Sequence, residues 1–216
     1  MEEAAKQLHT KGWVILRNAA PPELLSLTLA LTKTSGRTQP WHGLHTQPEQ
    51  SGVKRRHALA LHEAADAAHT DTVAGLGAAA AAARARHEAR VDALGARVHA
   101  EAVRCLRLLG LGRQPVYQPA LLRTLPGALQ QDWHCDAGAD RTWSVLTAIT
   151  AREFVIKGLD RPLELSASDV LVFDGRLCHA GAGLPSEAGA PAIASFAYAG
   201  TGITEEILMH TFACPH

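Results

Sequence analysis

The spacing of apolar positions divides the chain into two halves. In the second half they form short, dense runs, Trp143 to Thr150, Phe154 to Ile156 and Val170 to Phe173, whose β-branched and aliphatic content predicts strands. Ser166-Ala167-Ser168-Asp169 predicts a turn before the last run, and Asp174-Gly175 a break after it. In the first half a spacing of three and four takes over. Val91, Leu94, Val98, Ala102 and Cys105 fall on one face of a helix expected from about Leu76 to Leu109, in a stretch rich in the helix formers Ala, Leu, Arg and Glu. That stripe should pack against the outside of a sheet. Ahead of it, Glu2 to His9 reads as a short helix, Trp13 to Arg17 as a strand and Pro21 to Lys33 as a helix with Pro near its first turn. Thr34 to Lys54 is polar and rich in Gly, Pro, Gln and His, which predicts a long loop.

Composition narrows the class. A chain of 216 residues with 47% hydrophobic content can bury a substantial core, so one domain over 1–216 is expected, with residues 1–110 as a helical part and 111–216 as the sheet core. Lys plus Arg equal Asp plus Glu at 21 each, a balance that gives no support to a nucleic-acid partner. The mildly basic stretch 51–113, including Lys54-Arg55-Arg56, reads as a solvated helix face. Cys105, Cys135, Cys178 and Cys214 have no regular spacing, so neither a disulfide framework nor a zinc site is expected. A reducing compartment follows. The first residues lack the apolar core of a signal peptide, and no apolar stretch reaches about eighteen residues, so the expectation is a soluble intracellular protein, cytoplasmic or nuclear, with no membrane partner.

The chemistry concentrates at three residues. His134 and Asp136, in Asp132-Trp133-His134-Cys135-Asp136, share a face if the backbone is extended, with Cys135 pointing away. His179 follows about forty-five residues later in a turn, strand, turn and His unit. Two imidazoles and a carboxylate on one side of a metal leave three positions open, an arrangement suited to Fe(II) and dioxygen. A His-x-Asp triplet is weak evidence in a chain with twelve histidines, and His69-Thr70-Asp71 repeats it in a stretch expected to be helix or loop, where residues two apart diverge. The strands that follow His134 separate the two. His210, Cys214 and His216 in the tail lack a fourth ligand at metal spacing.

Leu122-Arg123-Thr124-Leu125-Pro126-Gly127 leading into His134-Cys135-Asp136, and Asp169-Val170-Leu171-Val172-Phe173 leading into His179-Ala180-Gly181-Ala182-Gly183, resemble the two signature blocks of the Fe(II)- and 2-oxoglutarate-dependent oxygenases. The likeness is to the phytanoyl-CoA hydroxylase-like and prolyl-hydroxylase-like side of that superfamily. Gly12 to Asn18 followed by Pro21 to Leu25 is similar to the opening strand and helix of such enzymes, while residues 35–110 find no counterpart. The resemblance implies an α+β fold, a double-stranded β-helix or jelly-roll barrel of cupin-like form, flanked by N-terminal and Ala-rich helices. It further implies Fe(II) held by His134, Asp136 and His179, 2-oxoglutarate as co-substrate, and hydroxylation of a C–H bond with no protein acid or base required.

One implied part is missing. Family members carry an Arg or Lys ten to fifteen residues after the distal His to pair with the far carboxylate of 2-oxoglutarate, and Leu184 to Phe196 contains no cation. Three readings follow. Arg152 or Lys157, or more distantly Arg123, supplies the anchor; the co-substrate is ascorbate, as for one algal relative of the DNA 5-methylcytosine oxygenases; or the chain binds metal without turnover. Free amino acid, lipid-like thioester, peptide side chain and nucleobase all remain compatible as substrate. The polar loop, with Trp41, His42 and His45, is placed to cover such a site, mobile surface being the plainer reading.

Overall fold

The computed structural model describes residues 1–38, 56–60, 78–112, 115–137, 142–200 and 212–214. Its N-terminal part comprises α1 (Glu2–Lys11), β1 (Trp13–Leu16), α2 (Pro22–Thr38), β2 (Arg56–Ala60) and α3 (Ala78–Leu108). Nine strands follow: β3 (Val116–Thr124), β4 (His134–Cys135), β5 (Trp143–Ala148), β6 (Arg152–Ile156), β7 (Leu163–Leu165), β8 (Val170–Asp174), β9 (His179–Gly181), β10 (Ala192–Ala199) and β11 (Phe212–Ala213). They form two antiparallel sheets, one ordered β1-β8-β5-β10-β3-β2 and the other β11-β4-β9-β6-β7.

The larger sheet is buried on both faces. Leu146, Ala148, Leu171, Phe173, Ala194 and Phe196 point inward and meet Phe154, Ile156 and Leu165 of the smaller sheet. Val145, Ile149, Val170, Val172 and Ile193 point outward and meet Leu94, Val98, Leu106 and Leu109 of α3 and its C-terminal turn, together with Leu8 and Leu24. This double burial explains why β5 and β8 read as continuous apolar runs. In β6, whose outer face is less covered, buried Phe154 and Ile156 alternate with more exposed neighbours.

The long helix begins and ends within two residues of the expected bounds, and Val91, Leu94, Val98, Ala102 and Cys105 form its buried stripe. Glu101, itself buried, receives two hydrogen bonds from Arg104 (2.6 and 2.8 Å) and the thiol of Cys105 (3.3 Å), while Arg104 reaches the Ala19 carbonyl. Burial pushes the Cys105 thiol far up, with the Glu101 charge adding to it, so this cysteine is an inert packing group. The expected loop from Thr34 is helical as far as Thr38; Trp41, His42, His45 and the His69-Thr70-Asp71 triplet lie outside the described residues.

Cysteine usage is a correction. Cys178 and Cys214 form a disulfide with a Cα separation of 5.5 Å, where irregular cysteine spacing led to the expectation of no disulfide framework. β11 adds to the edge of β4, which itself pairs with β9, and so carries Cys214 back towards the residue before His179. A separation of 36 residues holds no hint of that return. Among the described residues no helix is long and apolar enough to cross a membrane.

Candidate metal centre

His134 and His179 are directly opposed cross-strand partners in β4 and β9, and Asp136 lies just past the end of β4. All three are buried, at 8%, 3% and 7% exposure. Asp136 Oδ1 lies 3.5 Å from His179 Nε2 and 3.9 Å from His134 Nε2, and one donor atom from each of the three residues falls within 4.8 Å of the others.

The backbone sets which nitrogen faces inward. His134 Nδ1 is 2.8 Å from the Asp132 carbonyl and His179 Nδ1 is 2.9 Å from the Leu177 carbonyl. A carbonyl only accepts, so each Nδ1 carries a proton and each Nε2 is the nitrogen left to face Asp136, able to bind a metal once unprotonated. This is the arrangement that orients histidine as a metal ligand. Asp136 is held by backbone too: its amide and that of Ala137 donate to the Gly175 carbonyl at 2.7 and 3.0 Å. Burial alone would raise the Asp136 carboxyl, but the imidazoles of His179 and His134 and the Ser144 hydroxyl outweigh it and hold it below the usual range. Metal bonds of about 2.1 Å at right angles need donors about 3.0 Å apart, so closing the two Asp136 pairs onto an ion takes under about 1 Å each. Two imidazole nitrogens and a carboxylate, each steadied by a hydrogen bond of its own, are a donor set that fits a divalent cation.

The surroundings are apolar. Phe154 stacks on His179 at 5.1 Å between centroids, and Phe173 meets it edge-on at 4.8 Å. Around the approach to β4, Gln131 accepts from the Gly181 amide through its side chain and donates to the Gly181 carbonyl from its own amide. Gly183 does not leave room for a co-substrate: a Cβ there would sit 2.9 Å from the Ala128 carbonyl, so the glycine serves close backbone packing. Trp133, beside His134 in sequence, is 39% exposed.

The three candidate anchors part company. Arg152 shares the inner face of β6 with Phe154 and Ile156, and lines a small cleft with Thr124, Ala182, Gly183 and Ala192. Lys157 is exposed and follows the inward Ile156, so it points out of the barrel. Arg123 alternates with inward Leu122 and shares the outward face with Leu121, on the α3 side. Two residues outside the expected set stand at this carboxylate: Ser144, whose hydroxyl donates to Asp136 Oδ2 at 2.7 Å, and Tyr198, whose hydroxyl lies beside it. A serine inside the apolar run Trp143-Ser144-Val145-Leu146 was the available signal.

Solved structures share this architecture. A 2OG-Fe(II) oxygenase family oxidoreductase from Burkholderia pseudomallei is 16% identical, with 91% of this chain and 88% of that one covered and a TM-score of 0.55. HygX from Streptomyces hygroscopicus, solved with nickel, 2-oxoglutarate and hygromycin B, is 14% identical over 95% and 89% at 0.58. A Pseudomonas putida prolyl-4-hydroxylase is 15% identical over 91% and 96% at 0.54. No protein-family model and no curated protein sequence matches the chain. The class defined here is one of fold: the chain has the double-stranded β-helix of the 2-oxoglutarate and Fe(II) oxygenases, with a His-Asp-His cluster at the barrel mouth.

Proposed function

We propose that this chain is a non-haem Fe(II)-dependent dioxygenase that uses 2-oxoglutarate to hydroxylate a C–H bond of an organic substrate. The observation that carries the reading is the convergence of His134 Nε2, His179 Nε2 and Asp136 Oδ1 in a buried, apolar setting. Bound Fe(II) would supply dioxygen activation coupled to oxidative decarboxylation of the 2-oxo acid. The chain contributes three ligands on one side, two aromatic rings that exclude water from His179, and a cation for the co-substrate's far end.

Arg152 is that cation. It lies two residues along β6 from Phe154, about 7 Å at strand spacing, on the face that holds the ring stacked on His179. Ala192 lines the same cleft, thirteen residues after His179, within the interval where the related oxygenases place their Arg or Lys. A small side chain on β10 faces a large cation on β6, so the two sheets exchange roles. This favours 2-oxoglutarate over ascorbate, a lactone with no carboxylate for the cation to hold.

Succinate release under air, with Fe(II) and 2-oxoglutarate, tests the assignment. Arg152→Ala should raise KM for 2-oxoglutarate by about 10- to 100-fold, the worth of a charge-assisted pair, with Fe(II) affinity unchanged. Adding Ala192→Arg should recover much of the loss. Unchanged KM in Arg152→Ala would remove the anchor, and a wild-type chain that binds Fe(II) yet consumes neither 2-oxoglutarate nor ascorbate would contradict the oxygenase reading.

A further inference from the structure

Asp136 is tied to both sheets. Its Oδ1 faces the two histidines of the smaller sheet, while its Oδ2 accepts from Ser144 on β5 of the larger one. Tyr198, on β10, is the direct cross-strand partner of Ser144, so the two hydroxyl side chains stand on one inner face. The Tyr198 hydroxyl stands beside the same carboxylate. Ser144 is fully buried, and the Tyr198 ring is braced edge-on by Phe196 at 4.7 Å. The pairing of β10 with β3 slips between Phe196 and Tyr198, where Ala197 faces Gln118 and Pro119. Pro119 has no amide to give the ladder, and such a bulge adds local twist next to Tyr198.

We infer that Ser144 and Tyr198 are a pair of positioning residues that hold the outer side of the Asp136 carboxylate and restrict it to one-oxygen ligation. The consequence lies in the count of open positions. Two imidazoles and one carboxylate oxygen leave three for a bidentate co-substrate and dioxygen; a carboxylate turned to bind through both oxygens would take one of them. With Oδ2 engaged by a buried hydroxyl at 2.7 Å, that rotation gives up a buried hydrogen bond. The inference rests on the Fe(II) reading above.

The test is Co(II) binding to the full-length chain under anaerobic conditions, followed by calorimetry and by the visible d–d bands of the loaded protein. Ser144→Ala and Tyr198→Phe should each weaken Co(II) by about 10-fold or more, in the range seen when groups supporting a ligand are lost, and should change the band pattern. Tyr198→Phe removes one oxygen and keeps the ring on Phe196, so it serves if Ser144→Ala lowers the Tm of the metal-free protein. Wild-type affinity and spectrum in Tyr198→Phe and Ser144→Ala would overturn the positioning role while leaving the metal site intact. A wild-type chain that takes up no Co(II) would overturn the Fe(II) reading itself.

Discussion

Single residues fix the site through backbone contacts that motifs do not display. Gly175 is the clearest case: its carbonyl receives the amides of Asp136 and Ala137, and a Cβ there would collide with the Thr142 hydroxyl and come within 3.2 Å of Ala137. Gly175→Ala should therefore displace Asp136 and weaken Fe(II) by an order of magnitude or more, a loss that metal titration reads directly. Asp169 plays the corresponding part for the fold. Its buried carboxylate accepts from the amides of Asn18 (3.0 Å) and Ser166 (2.8 Å) and from Arg17 (2.6 Å), pinning the turn after β1 to the turn before β8. Because Arg17 is 58% exposed, the two amides carry most of the gain. Burial would raise this carboxyl, but those three donors hold it below the usual value. Its contribution is thus complete above the unfolded-state value of about 4 and disappears as pH falls through the lower folded value. Asp169→Ala should cost about 2 kcal/mol or more in urea unfolding at pH 7, and much less near pH 3. The cluster of His134, Asp136 and His179 was legible because strands follow the His-x-Asp pair and a turn, strand, turn and His unit comes after them; Ser144, Tyr198 and Gly175 were not, because their partners are set by strand register.

At the scale of elements, legibility followed burial. The α3 stripe and the runs of β5 and β8 were readable because each is dominated by apolar residues at the spacing of its element. β10 is built largely of Ala and β3 contains Pro119, so neither advertises a strand; their place comes from pairing with each other and with β5. The cleft that Arg152 shares with Ala192 was illegible for the same reason, since it forms between facing sheets and not along the chain. Leu94→Ala on the fully buried face of α3 should lower stability by about 2–5 kcal/mol without altering metal affinity, as chemical denaturation alongside metal titration would show. The Cys178–Cys214 bridge closes a 36-residue separation, worth at most about 4 kcal/mol of chain entropy. Reduction should release β11 from β4 and raise hydrogen exchange at Cys135 first, the residue opposite Phe212.

Across the described residues, the larger sheet is the scaffold and the smaller one carries the two histidines of the cluster. Helices cover the outer face of the first, so its inner face is rigid where Ser144 and Tyr198 meet Asp136. The histidines sit on the second sheet, and Asp136 joins the two. Ligand binding should therefore stabilise the molecule as a unit, by about 2.7 kcal/mol when free Fe(II) is a hundred times its Kd. The most direct measurement is an anaerobic titration of the full chain with Fe(II) and 2-oxoglutarate, watched for the metal-to-ligand charge-transfer band of a chelated 2-oxo acid. A saturable band at one equivalent, lost in Asp136→Ala, is the predicted result; no band in the wild type at saturating Fe(II) would contradict the account.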